Sequence, residues 1–150
     1  MTIAVDFDGT IVEHRYPEIG RERPMACATL RRLMEDGHHL ILWSVREGDL
    51  LKAAIDWCEE RGVIFYAVNE TTVGLTPESE NWSRKVIADM YIDDRNCGGL
   101  PHWSLIYRII NEKLTLEEVV HQEIAHQQGL YVPEPEEIQE KQPKKRWWQF

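Results

Sequence analysis

Four short stretches of the chain carry side chains suited to phosphoryl chemistry. Asp6 and Asp8 stand one residue apart in DFDGT, followed by Gly9 and Thr10; Ser44 ends LILWS, Lys85 ends SRK, and Asp93 and Asp94 close MYIDD. On an extended exit from a strand, two positions apart is the same face, so Asp6 and Asp8 point together. Gly9 lets the chain turn sharply behind them. Four carboxylates gathered in one place raise one another's pKa, and a cation removes that cost. A donor set made of oxygen alone, with no Cys or His beside it, suits Mg²⁺ rather than zinc. Phosphoryl transfer then needs an in-line nucleophile, neutralised equatorial oxygens and a proton for the leaving group. Asp6 can attack as a carboxylate while touching the metal. Thr10 and Ser44 can donate hydrogen bonds to phosphate oxygens, and Lys85 can supply positive charge. Arg46 sits where a substrate phosphate or carboxylate could be met by both arms of its guanidinium. Arg95 could balance the local negative charge.

These residues need elements to hold them. Thr2–Phe7 reads as a buried strand ending at the DFDGT loop. Pro24 opens a helix carrying Ala26, Leu30, Leu33 and Met34, stopped by Gly37. Leu40–Trp43 is a second strand. Leu51, Ala54, Ile55 and Cys58 form the stripe of a second helix closed by Gly62. Val63–Val68 reads as a third strand, Asn69–Asn81 as a loop and Trp82–Asp89 as a short helix. Met90–Ile92 is a fourth strand, with helices expected near 102–113 and 116–128, the latter opened by a Thr115/Glu118 capping box. Apolar strands alternating with amphipathic helices imply an α/β fold with a parallel sheet covered on both faces. Right-handed crossovers bring all strand C-termini to one edge, where such sheets bind ligands. Asp6, Asp8, Ser44, Asp93 and Asp94 all fall there.

DFDGT, the serine of LILWS, the lysine of SRK and the acid pair of MYIDD resemble, in this order, the four motifs of the haloacid dehalogenase superfamily. The match spans roughly residues 2–95. The wider run, including ILWSVREG and IDDRN, resembles small capless bacterial and phage members. The resemblance implies a Rossmann-like three-layer sandwich around a mainly parallel sheet, with no cap domain, and a covalent aspartyl-phosphate. It makes Asp6 the nucleophile and Asp8 the general acid/base. Thr10 and Ser44 would bind phosphate, and Lys85 would steady phosphate and nucleophile. Mg²⁺ would be held by Asp6, the backbone carbonyl of Asp8, and the Asp93–Asp94 pair, Asp94 directly and Asp93 behind it. A dehalogenase needs neither the metal nor a proton donor at Asp8, so phosphate chemistry is preferred over carbon–halogen chemistry. Receiver domains use similar residues in another order, with the acid pair after the first strand, which this chain does not follow. The segments between the motifs leave no room for a folded cap. The site is then expected to be open, closed only by loops or by a neighbouring subunit in a homo-oligomer. Ile11–Gly20 could form a flap, with His14, Arg15 and Tyr16 facing a ligand or lying on an exposed loop. Asn69, Glu70 and Trp82 are specificity candidates, Trp82 either stacking on a ring or packing in the protein.

The chain has 150 residues, 26 acidic against 17 basic, a formal charge of −9 and a pI near 5.1. That balance excludes a broad nucleic-acid-binding or anionic-membrane surface but not a local anion site. No run approaches the ~20 apolar residues of a membrane helix, and an aspartate interrupts the first apolar stretch, so no signal peptide is read. Cys27, Cys58 and Cys97 lack CxxC spacing and read as reduced thiols of a cytoplasmic protein. One domain over residues 1–132 is expected, followed by a charged, aromatic tail over 133–150. Lys141–Phe150 of the tail could dock on a membrane surface or partner groove, and the simpler reading is a solvated tail. The expectation is therefore a Mg²⁺-dependent phosphatase acting on a phosphorylated small molecule or macromolecule. The alternative is a non-catalytic phosphate- and metal-binding interaction protein on the same fold.

Overall fold

The computed structural model describes residues 1–74, 76–80 and 82–129, so the expected tail over 133–150 and the boundary at 132 lie outside the described residues. Eight elements follow in the order β1 (Thr2–Val5), α1 (Ala26–Glu35), β2 (His39–Leu42), α2 (Gly48–Glu59), β3 (Ala67–Val68), β4 (Met90–Ile92), α3 (Trp103–Asn111) and α4 (Leu116–Gln127). The chain forms two compact units, Met1–Tyr107 and a second beginning at Arg108.

In the first unit the four strands make one sheet in the order β3-β2-β1-β4, every pair parallel. This is an α/β, Rossmann-like architecture. Ile3, Ala4 and Val5 of β1 and Leu40, Ile41 and Leu42 of β2 are all buried, as expected of a parallel sheet covered on both faces. Register aligns Ala4 with Ile41 and Ile41 with Ala67 across one face. Ile3, Val5, Leu40 and Leu42 alternate onto the other, and α1 packs against β2.

Three elements depart from the pattern read in the sequence. The apolar run Val63–Val68 is a strand only over Ala67–Val68. Val63 is taken up in ending α2: its N–H donates to the Cys58 carbonyl at 3.0 Å and the Gly62 N–H to Glu59 at 2.8 Å, with Gly62 at φ 75. That paired closure is favoured by a glycine and buries the apolar residue after it. Residues 82–89 are not helical. Val86 instead joins Ala4, Ile41 and Ala67 in a buried cluster, with Ala88 and Tyr91 packed against it. Ile87 N–H donates to Thr71 Oγ1 at 2.9 Å, the Tyr91 hydroxyl to the Val86 carbonyl, and Asp89 N–H to the Thr2 carbonyl at 2.8 Å. An extended segment thus covers this part of the sheet face, because burying Val86 there and satisfying these backbone groups outweighs its local helix preference. Finally, α1 begins at Ala26 rather than Pro24, after Met25 at φ 70, and Glu22 Oε1 accepts from the N–H of Cys27 at 3.1 Å.

In the second unit, α4 opens with the expected capping box: Thr115 Oγ1 accepts from Glu118 N–H at 3.2 Å and Glu118 Oε2 accepts from Thr115 N–H at 2.7 Å. Arg108 pairs with Glu112 at 2.9 Å and Glu123 at 2.6 Å. Among the described residues, no helix is long and apolar enough to cross a membrane. All three cysteines are free, and burial pushes the Cys27 and Cys58 thiols up to about 12, as fits small apolar fillers.

Candidate metal and phosphate site

Because β1 lies between β2 and β4, their C-terminal ends meet at one rim of the sheet. The ladders run one residue past the strands: Asp6 N–H donates to Ile92 at 2.9 Å and Trp43 N–H to Val5 at 2.8 Å. Asp6, Ser44 and Asp93–Asp94 therefore leave the sheet side by side. Carboxylate oxygens of Asp6, Asp93 and Asp94 all lie within 4.8 Å of one another.

Thr10 pins this group. It is fully buried, its hydroxyl donates to Asp6 Oδ2 at 3.1 Å and it accepts from Asp94 N–H at 2.9 Å. Its carbonyl accepts from Trp103 Nε1 at 3.2 Å. One hydroxyl so links the end of β1 to the end of β4. Gly9, at φ 92, lets the turn pass close to the acid pair: a Cβ there would lie 2.2 Å from Asp94 Oδ2.

The cluster's electrostatics would be relieved by a cation. Asp6 is raised to about 6 from 3.8, chiefly by desolvation. Hydrogen bonds from the Phe7 backbone and Thr10 oppose this, and the charges of Asp93 and Asp94 add to it. Asp94 Oδ1 is buried with no hydrogen-bond partner among the described residues. Such an orphaned oxygen costs on the order of 1–3 kcal/mol unless something coordinates it. Three hard oxygen donors with one unmet lone-pair demand fit a hard divalent cation. The residues that would hold it are Asp6, Asp93 and Asp94.

Asp8 is placed differently. Its carboxylate is turned into the protein and forms a buried two-armed ion pair with Arg46: Nε to Oδ2 at 2.6 Å and Nη2 to Oδ1 at 2.8 Å. Arg46 is fully buried and also donates to the carbonyls of Pro17 and Glu18, each at 2.9 Å. The pairing with Asp8 holds the Arg46 pKa above its ordinary value. The expectation that Arg46 meets a substrate phosphate is corrected here, since its guanidinium is engaged by Asp8 and the Pro17–Glu18 backbone. Two residues after Ser44, its chain reaches back to the DFDGT turn, and a buried carboxylate is a stronger claimant than solvent.

Ser44 stands at the rim, braced by Asn69: Ser44 N–H donates to Asn69 Oδ1 and Asn69 Nδ2 to the Ser44 carbonyl, both at 2.8 Å. Its hydroxyl accepts from Arg46 N–H at 3.2 Å. Asn69 is thus a brace between the ends of β2 and β3. Lys85 is exposed, and its ammonium lies 4.7 Å from the centre of the Tyr91 ring. It does not line the cavity at the rim, so the structure does not bring the expected cation into the group. Residues 82–89 run extended rather than helical, and Lys85, expected at the site from the order of the motifs, lies on the exposed side of this segment.

The cavity itself measures about 400 Å³ and is bounded by Asp6, Asp8, Ser44, Asp93 and Arg95 together with His14, Tyr16, Trp43 and Val45. Arg95 is the lining cation. Arg23 was missed in the sequence: its Nε donates to the Gly9 carbonyl at 2.9 Å and steadies the turn. No local signal marks it, because the partner is a backbone oxygen 14 residues away.

Fold and rim together define an α/β protein with an all-parallel sheet and a carboxylate cluster at the strand C-termini. No family model matches the chain, and no curated protein does. Among solved structures it is similar to a conserved protein encoded by a locus of Bacteroides thetaiotaomicron, at 58% identity and a TM-score of 0.74, covering 78% of this chain and 94% of that one. The chain belongs to the same family as that Bacteroides protein.

Proposed function

We propose that the protein is a Mg²⁺-dependent phosphohydrolase of the haloacid dehalogenase type, cleaving phosphate monoesters through an aspartyl-phosphate on Asp6. The observation that carries this reading is the convergence of Asp6, Asp93 and Asp94 within 4.8 Å, with one Asp94 oxygen unsatisfied, beside a cavity of small-ester size. Mg²⁺, held by these carboxylates and the Asp8 carbonyl, would neutralise charge on the transferring phosphoryl group. An Asp6 oxygen attacks phosphorus and the P–O bond to the leaving group breaks; Asp8, once one oxygen is released from Arg46 and has taken up a proton from solvent, passes that proton to the departing oxygen. Water then attacks the phosphorus of the aspartyl-phosphate, gives its proton to Asp8 and frees inorganic phosphate and the Asp6 carboxylate. Asp8 must loosen one Arg46 contact to take part. Ser44 donates to a phosphoryl oxygen, and Arg95 supplies positive charge within the cavity.

A second reading, a non-catalytic metal- and phosphate-binding protein, is favoured by two observations: Arg46 occupies both oxygens of Asp8, and Lys85 stands outside the cavity. One experiment separates the two. Phosphate release from an aryl phosphate and a panel of esters is measured with and without Mg²⁺, for the native chain and Asp6→Asn. Metal-dependent turnover abolished in the variant supports the enzyme. A folded protein that binds Mg²⁺ but turns over nothing establishes the second reading.

A further inference from the structure

The cavity has two chemically distinct parts. Its floor is acidic and belongs to the site described above. Its exposed lining is Tyr16 and Val45, with His14 beside them, while Trp43 packs against the buried cluster of Ala4, Ile41, Ala67 and Val86. Val45 is 85% exposed and Tyr16 50%, although both are large apolar or aromatic residues at the edge of an otherwise polar rim.

Tyr16 is held there by design of the loop. Residues 13–21 are closed at their base by an antiparallel bridge between Val12 and Glu22 and by Glu13 N–H donating to Arg21 at 2.8 Å. Gly20 allows the two arms to touch, since a Cβ there would meet the Glu13 carbonyl oxygen at 2.0 Å. From inside, Arg46 grips the Pro17 and Glu18 carbonyls, and its guanidinium lies 5.3 Å from the centre of the Tyr16 ring and 5.2 Å from that of Phe7. Arg46, itself anchored on Asp8, is therefore a positioning residue: it fixes the loop that presents Tyr16. An aromatic ring held in advance of binding loses little freedom when a ligand arrives.

The geometry points to a ligand whose organic part is a flat aromatic ring, seated against Tyr16 at the exposed side of the cavity with its phosphate toward the acidic part. This rests on the phosphohydrolase reading for the phosphate end only. Stacking on an aromatic side chain is tolerant of ring identity and favours a planar group over a saturated sugar by about tenfold or more.

The test uses ligands without phosphate, so that ring recognition is read apart from catalysis. Adenosine and methyl glucoside are titrated into the native protein by ligand-observed NMR, and into Tyr16→Leu and Tyr16→Phe. The expected result is adenosine binding about tenfold tighter than the glucoside, a preference lost in Tyr16→Leu and kept in Tyr16→Phe. Equal affinity for the two ligands, no binding of adenosine, or a preference unchanged in Tyr16→Leu overturns the inference. Hydrolysis of adenosine monophosphate and glucose 6-phosphate in magnesium buffer is followed in parallel. Failure of both esters to turn over, with the ring preference intact, counts against the phosphohydrolase reading and leaves ring recognition standing.

Discussion

Neutralising Asp6 should stabilise the metal-free protein, although the residue lies at the heart of the site. Asp6 titrates at about 6 in the folded chain against 3.8 for a free carboxyl, mainly because burial strips water from its charged form. A difference of about two units, at about 1.4 kcal/mol each, is about 3 kcal/mol. Solvent at the open side of the site trims this to about 2–3 kcal/mol. The folded state holds the proton more tightly, so the stability it contributes is complete below about pH 3.8 and is lost as pH rises through about 6. By pH 8 the full cost of the buried charge stands. Asp6→Asn keeps the size and the acceptor for Thr10 but carries no charge. In urea unfolding without metal, the variant should exceed the native chain by about 2–3 kcal/mol at pH 8 and by less than about 1 kcal/mol at pH 4. Saturating Mg²⁺ should narrow the pH 8 gap, because the cation stabilises a native cluster that keeps all its carboxylates. A variant less stable than the native chain at pH 8, or a gap equal at both pH values, would refute the desolvation argument. A gap indifferent to Mg²⁺ would count against a cation at this cluster.

Two other substitutions test the architecture around the cluster. Arg46→Met leaves the buried Asp8 carboxylate without its partner and should cost about 3–5 kcal/mol in urea unfolding, with faster amide exchange across residues 13–21; a loss below about 1 kcal/mol would show that the pair is not needed. Gly9→Ala forces a Cβ to within 2.2 Å of Asp94 Oδ2 at a φ of 92, so it should destabilise the chain by about 1–3 kcal/mol and weaken Mg²⁺ binding by calorimetry. Unchanged metal affinity in that variant would separate Asp94 from the cation site.

The parts of this protein that were legible in the sequence are those written in local pattern. β1, β2 and β4 are short β-branched or apolar runs that stop at polar residues, and a run that must be buried on both faces cannot be written otherwise. The capping box of α4 needs only residues 115 and 118. A parallel sheet also obliges residues that follow strands to share one rim, which is why Asp6, Ser44, Asp93 and Asp94 were identified together. The short helix expected at 82–89 failed because its periodicity was weak and Val86 had a better site on the sheet. Lys85 was placed by the order of the motifs alone, and order along the chain does not fix which way an extended segment turns its side chains.

What the chain alone determined, then, is which acids end which strands, because alternation and strand termination are properties of neighbouring residues. The tertiary structure decided which acid faces which cation. Placing β1 between β2 and β4 sets Asp6 against Asp93 and Asp94, while Asp8, two residues on, meets an arginine 38 positions away and becomes the anchor of a loop. Charge pairing acts through space over a few ångströms, and no spacing along a chain encodes that distance until the strands are in register.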